Sequence, residues 1–208
     1  MSSVTGLGNF LEIFKAARHT ATTWSGGVDL VAYTGGLEIY QSATAVSGGS
    51  PTLDGKMQDC TDSVGMGLAG ASFDFTGNGE GELHLSEAGA FATYTYRSGD
   101  VIALSGAAGV PDGVYSVASR VDDDAILLTA DARLTADTTS DATSPAWADI
   151  SGEAFTGLTT SDGGEAITIN ANSCKRYIRW VGTSGGSTPI YDVSVIAFGQ
   201  GKTSAPST

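Results

Sequence analysis

Two short stretches carry reactive residue types at spacings that catalysis or nucleotide binding uses. Gly182-Thr183-Ser184-Gly185-Gly186 has the form of a nucleophile elbow, in which a sharp turn lifts a serine hydroxyl clear of the backbone to attack a carbonyl carbon. Such a serine needs a base to take its proton, and neither His19 nor His84 has an evident route to it. The segment lies between two strand-like runs in a Gly- and Ser-rich chain, so a glycine turn explains it. GMGLAG, Gly65 to Gly70, has the spacing of a dinucleotide loop, whose glycines let a pyrophosphate approach a helix N-terminus. The residues that follow, ASFDF, read as strand, and no β-α-β pattern surrounds them. No catalytic residue and no cofactor-binding residue is expected.

Carboxylates gather twice. Asp122, Asp123 and Asp124 offer hard oxygen ligands, but without the spacing of a calcium-binding loop they read as a solvated turn. Glu80, Glu82 and His84 alternate onto one side of GEGELHLSE, with Glu87 off that side, and read as a solvated strand face. No metal ligand is assigned. Cys60 follows one strand and Cys174 precedes another, so the sulfurs meet if those strands are antiparallel neighbours. With no export signal the pair reads as reduced, and its pairing is left open. Trp24, Tyr40 and Tyr191 offer flat rings suited either to stacking on sugars or to filling a core.

Charge and hydropathy narrow the partners. The net charge of −13 arises with only 10 Lys and Arg residues, too few to build a face that displaces counterions from nucleic acid. No apolar run approaches the roughly 20 residues of a membrane helix. Met1 to Asn9 lacks a basic start and an apolar stretch, so the chain is expected to be made in the cytoplasm.

The elements that must position these residues are mainly strands. Twenty-nine glycines and 16% charged residues favour short strands and tight turns over long helices. One helix is expected over residues 10–18: Asn9 caps it, Glu12 follows three residues later, and Leu7, Phe10, Leu11, Phe14 and Ala17 share a face. Phe10, Leu11 and Phe14 either dock on the chain's own sheet or grip a neighbouring subunit or shell. Strands are expected over 28–34, 37–46 and 52–60, separated by Gly35-Gly36 and by Gly48 to Pro51. In the last third, Ile167, Ile169, Ile178, Trp180, Val193 and Val195 are the expected core. Between these parts, Ser98 to Gly106, Asp112 to Val121 and Ala125 to Ala130 read as a meander, and 134–144 as a polar connector. The fold class is thus mainly β: a β-sandwich with an inserted small β-meander or barrel-like domain and a short N-terminal helix. The domains are an N-terminal arm over 1–20, a sandwich split into 21–66 and 143–200, an insertion over 67–142, and a flexible C-terminal tail over 201–208.

Taken together, TLDGKMQDC, PAWADISG, AFTGLT, KRYIRWVGTSGG and TPIYDVSVIAF resemble a small β-sandwich of tailed-bacteriophage structural proteins. In those proteins the region around Asp59 to Ser63 runs almost directly into the Trp147 region. The inserted SGDVIALSGAAGVPDGVYSVASRVDDDAILLT is similar to a β-unit common in phage tail and virion proteins. The resemblance implies a non-enzymatic virion protein, first a capsid decoration or cement subunit that binds the major capsid protein, with a homotrimer favoured. A tail or head-to-tail connector component and a carbohydrate-binding host-adhesion module are the alternatives.

Overall fold

The structure, a computed structural model, describes residues 9–67, 71–77, 83–86, 88, 91, 96–108, 110–131, 137–159 and 162–201. These residues form β1 (Asn9–His19), β2 (Thr23–Trp24), β3 (Val28–Asp29), β4 (Tyr33–Cys60), β5 (Ala71–Gly77), β6 (Leu83–Ser86), β7 (Val101–Leu104), β8 (Gly113–Arg120), β9 (Ala125–Leu128), β10 (Asp137–Ala142), β11 (Ala148–Ala154), β12 (Leu158–Thr159), β13 (Gly163–Asn170) and β14 (Tyr177–Gly201). No helix occurs among the described residues. The chain divides into two compact units, a parent unit of Met1–Asp59 with Ala148–Thr208 and an inserted unit of Cys60–Trp147.

The parent unit is one eight-stranded sheet built on two long neighbours, β4 with 28 residues and β14 with 25. On its other side β14 carries β1, β2 and β3, while β4 carries β11, β12 and β13. The sheet folds over on itself at a crease. Gly48 (φ 133°) and Ser50 (φ 50°) of β4 lie against Gly186 (φ 97°) and Thr188 (φ 48°) of β14, and a Cβ on Gly186 would stand 2.5 Å from the Ser50 carbonyl oxygen. These left-handed conformations turn both strands together without ending either, which leaves a nearly closed, barrel-like sheet.

Gln41 and Gly55 show how far the fold-over goes. Fourteen residues of extended strand span about 45 Å. Yet a Cβ on Gly55 would meet Gln41 Oε1 at 1.9 Å. Between them, Trp180 Nε1 donates to Gln41 Oε1 at 2.8 Å, and the Trp180 backbone N–H donates to Ser25 Oγ at 2.9 Å. Leu37, Ile39, Met57, Ile178, Trp180, Val193, Val195 and Ala197 fill the interior. Along β14, odd residues from Tyr191 to Ala197 point in and even ones outward, the two-residue period of a sheet with one buried face.

The inserted unit orders its strands β10-β5-β6-β9-β8-β7. Ser105 and Thr143, just beyond β7 and β10, exchange backbone hydrogen bonds of 3.0 and 2.8 Å, an isolated bridge between the two ends of that order. Phe91, Ile102, Leu104, Tyr115, Val117, Ile126 and Leu128 form its core. Asp62 is fully buried: one oxygen accepts from the N–H groups of Val64 (3.0 Å) and Gly65 (2.5 Å), the other from Ala103 N–H (2.7 Å). Cys60 Sγ donates to it as well, at 3.6 Å. Ser63 pairs with Val101 through both backbone and hydroxyl. The divide between units therefore falls at 59/60 and 147/148, outside the 66/67 and 142/143 read from the sequence.

Several sequence expectations are corrected. The N-terminal helix is instead strand β1, paired antiparallel to β14 with Phe10 opposite Phe198 and His19 opposite Tyr191. Register shifts between Glu12 and Phe14 and between Phe14 and Ala17 break the two-residue period, so the apolar spacing imitates a helix while the ladder to β14 sets the conformation. Gly48 to Pro51 and Gly182 to Gly186 are not turns between strands but lie within β4 and β14. The connector over 134–144 contains β10, which pairs with β5 at the edge of the second sheet. Of the expected core, Ile167 is half-buried and the other five are buried. Leu7, Glu80, Glu82, Glu87 and the tail beyond Gly201 lie outside the described residues.

Candidate functional site

The side chains read as candidates for chemistry are occupied by structure or lie apart. Ser184 is half-buried within β14. His19 faces Tyr191, seven positions further along that strand, so β14 places no histidine opposite the hydroxyl. At Asp122–Asp124 the chain turns from β8 into β9: Asp122 Oδ1 accepts the Asp124 N–H at 2.9 Å, and Asp123 is ion-paired to Arg120. His84 sits in β6, its backbone opposite Thr76 and Leu127. Cys60 and Cys174 are both free thiols. Burial pushes the Cys174 thiol up to about 11, with Asp59 and Glu153 adding to the shift. A thiol so protonated is a poor nucleophile.

The aromatic candidates divide. Tyr191 is buried in the parent core, and Trp24 is exposed on β2. Tyr40 projects from β4 into solvent and joins two other rings. Phe198, on β14, stands edge-on to Phe10 (5.7 Å between centroids, 62°) and to Tyr40 (5.8 Å, 79°). The three come from the adjacent strands β1, β14 and β4, and they are 57%, 40% and 38% exposed for Phe10, Phe198 and Tyr40. Leu11 and Phe14 instead pack against the parent core, Phe14 with its ring 4.9 Å from that of Trp180. The three residues read as one contact group thus separate: Phe10 faces out, while Leu11 and Phe14 hold β1 on the sheet.

Beside Phe198 runs a shallow groove of about 310 Å³, lined by Gly36, Glu38, Thr168, Phe198, Gly199 and Gln200. Register sets its polar groups: Thr168 of β13 lies opposite Glu38 of β4. The nearby Glu38 carboxylate, two residues away on β4, holds the Tyr40 phenol above its ordinary pKa. Gly199 leaves room for the core beneath the groove, because a Cβ there would point inward and meet the buried Leu37 at 2.5 Å. At the far end of β1, Arg18 forms two hydrogen bonds to Asp192, at 2.9 and 3.2 Å, and ties the edge strand down. The arrangement provides exposed ring surface bordered by a carboxylate, a hydroxyl and an amide on a stiff sheet. Sequence reasoning missed Phe198; its signal was the outward parity of the even positions along Ile190 to Phe198. Comparison with protein-family models, curated proteins and solved structures finds no match to this chain.

Proposed function

We propose that this chain is a non-enzymatic structural protein of a bacteriophage virion, a capsid decoration subunit bound to the major capsid protein as a symmetric oligomer, with a trimer favoured. The virion assignment rests on the strand-and-turn resemblance of both chain segments to phage structural proteins. The contact role rests on one observation: among the described residues, three exposed aromatic side chains, Phe10, Tyr40 and Phe198, are gathered on one face, with Trp24 exposed apart on β2, while the buried carboxylate and the Asp122–Asp124 turn are committed to backbone and ion-pair contacts. A rigid sheet presenting side chains from several strands suits repeated contact with a fixed partner, and repetition on a shell multiplies a modest affinity. Quantitative mass spectrometry of purified virions tests the reading. Hundreds of copies per particle support decoration; a few copies transfer the protein to the tail or connector, and absence from particles removes the virion assignment.

A further inference from the structure

We infer that the outer edge of β13 is a pairing site for the same strand of a second copy of this chain, joined antiparallel about a two-fold axis at Ala166. This deepens the oligomer of the proposed function and depends neither on a virion location nor on the trimer. A sheet edge presents unpaired N–H and C=O groups that suit another extended strand, and proteins blunt such edges with charges, bulges, prolines and very short strands. Among the described residues, the parent sheet does so at every edge segment but one. β1 carries Glu12, Lys15 and Arg18 at exposed positions and two register shifts. β11 has a shift between Asp149 and Ala154, and β2, β3 and β12 have two residues each. β13 has none of these devices. It runs over Gly163–Asn170 in unbroken register on β4, pairs with no other strand among the described residues, and holds no Lys, Arg or Pro. Its single charge, Glu165, is engaged by the N–H and hydroxyl of Thr156, at 2.6 and 3.0 Å.

Register fixes which groups are free. Hydrogen-bonded pairs alternate along an antiparallel ladder. Ala171 N–H donates to the Gly35 carbonyl at 2.8 Å, one step beyond the pairing of Asn170 with Gly36, so the odd residues of β13 bond to β4 and the even ones turn outward. The Asn170 carbonyl accepts from Ser173 N–H. Gly164, Ala166 and Thr168 are left with both N–H and C=O directed to the open edge. Antiparallel pairing centred on Ala166 sets Gly164 against the second copy's Thr168 and Ala166 against the second copy's Ala166, which satisfies every one of these groups. Glu165 then stands opposite the second copy's Ile167, so no like charges oppose each other. Ile167, half-buried on the inward side of this edge, is covered in the same step. A continued antiparallel sheet keeps the outward faces of both copies on one side, so two sets of Phe10, Tyr40 and Phe198 share a surface and bind a fixed partner jointly.

Sedimentation equilibrium and amide hydrogen exchange on the full chain test the contact. With rising concentration the mass should climb from one chain of 21.0 kDa to two or to paired multiples, and the amides of Gly164, Ala166 and Thr168 should become protected. Ala166→Pro removes an N–H that faces away from β4, and Ala166→Lys sets two cations opposite each other at the axis. Ala166 is exposed, so both variants keep the fold; an unchanged circular dichroism melt verifies this, and Ala166→Lys decides where the proline disturbs the melt. Each should weaken association by about tenfold or more, whereas Ala16→Lys, on the bulged edge β1, should leave it unchanged. A chain that stays single up to about 1 mM overturns the inference. So does an oligomer indifferent to the Ala166 variants, or one in which these amides stay unprotected. A single chain found at hundreds of copies per virion loses this inference alone, and a β13-paired dimer absent from virions loses only the virion assignment.

Discussion

Replacing Gly55 by alanine should destabilise the parent unit more than a glycine-to-alanine change in a strand ordinarily would. The added methyl would stand 1.9 Å from Gln41 Oε1 and 2.9 Å from Trp180 Nε1. Since ordinary contact begins near 3.4 Å, the Gln41 amide must swing away by about 1.5 Å, which breaks its 2.8 Å bond to the Trp180 indole. A buried donor and acceptor left unpaired cost about 1–3 kcal/mol, and overpacking adds about 1–3 kcal/mol, so about 4 kcal/mol is expected. For a chain of this size that lowers Tm by about 10 °C. Urea unfolding followed by Trp fluorescence measures the loss. A cycle with Gln41→Ala isolates its cause: with the amide removed, Gly55→Ala should cost at least about 1 kcal/mol less than in the native background. Equal cost in both backgrounds, or a single variant within about 0.5 kcal/mol of native, would refute the claim that β4 folds back to bring positions 41 and 55 together.

The insertion is also separable by design. Asp59 and Ala148 are cross-strand partners, about 5 Å apart at Cα in such a pair, so replacing Cys60–Trp147 by Asn-Gly should leave a folded parent unit; failure of that short chain to give dispersed NMR amide signals would make the two units interdependent. Asp62→Asn should unfold the inserted unit at about 2–4 kcal/mol lower stability, since an amide N–H₂ would face either Ala103 N–H or the Val64 and Gly65 N–H groups; an unchanged melt would show that these bonds are dispensable. His19 is held below its ordinary 6.5 by burial, against a smaller opposite pull from Asp192, so the fold favours the neutral ring. Its share of stability is complete above about pH 6.5 and is lost as pH falls through the lower folded value, a slope that urea midpoints should show and His19→Gln should flatten. Cys174, with its thiol pushed up to about 11, should react with iodoacetamide at pH 8 at least about tenfold more slowly in the native chain than in urea.

Composition and local pattern were enough for the strand class, for the turn at Asp122–Asp124 and for the inward parity of Val193 and Val195, because each depends on a few consecutive residues. The strand at 10–18 was hidden for a related reason. Bulges in β1 displaced Leu11, Ile13 and Phe14 from strict alternation, and the ladder that holds them belongs to residues 191–199, far along the chain. Gly48-Gly49-Ser50 and Gly185-Gly186 each look like turn signals when read alone; facing each other across a sheet they become one crease. The candidate site is the extreme case. Phe10, Tyr40 and Phe198 mean little singly, since an exposed ring and a core ring have the same composition, and only the register of β1 on β14 and the placing of β4 beside it bring them onto one face. Strand register is a non-local choice settled by which buried faces pack together, and no window of neighbouring residues contains that information.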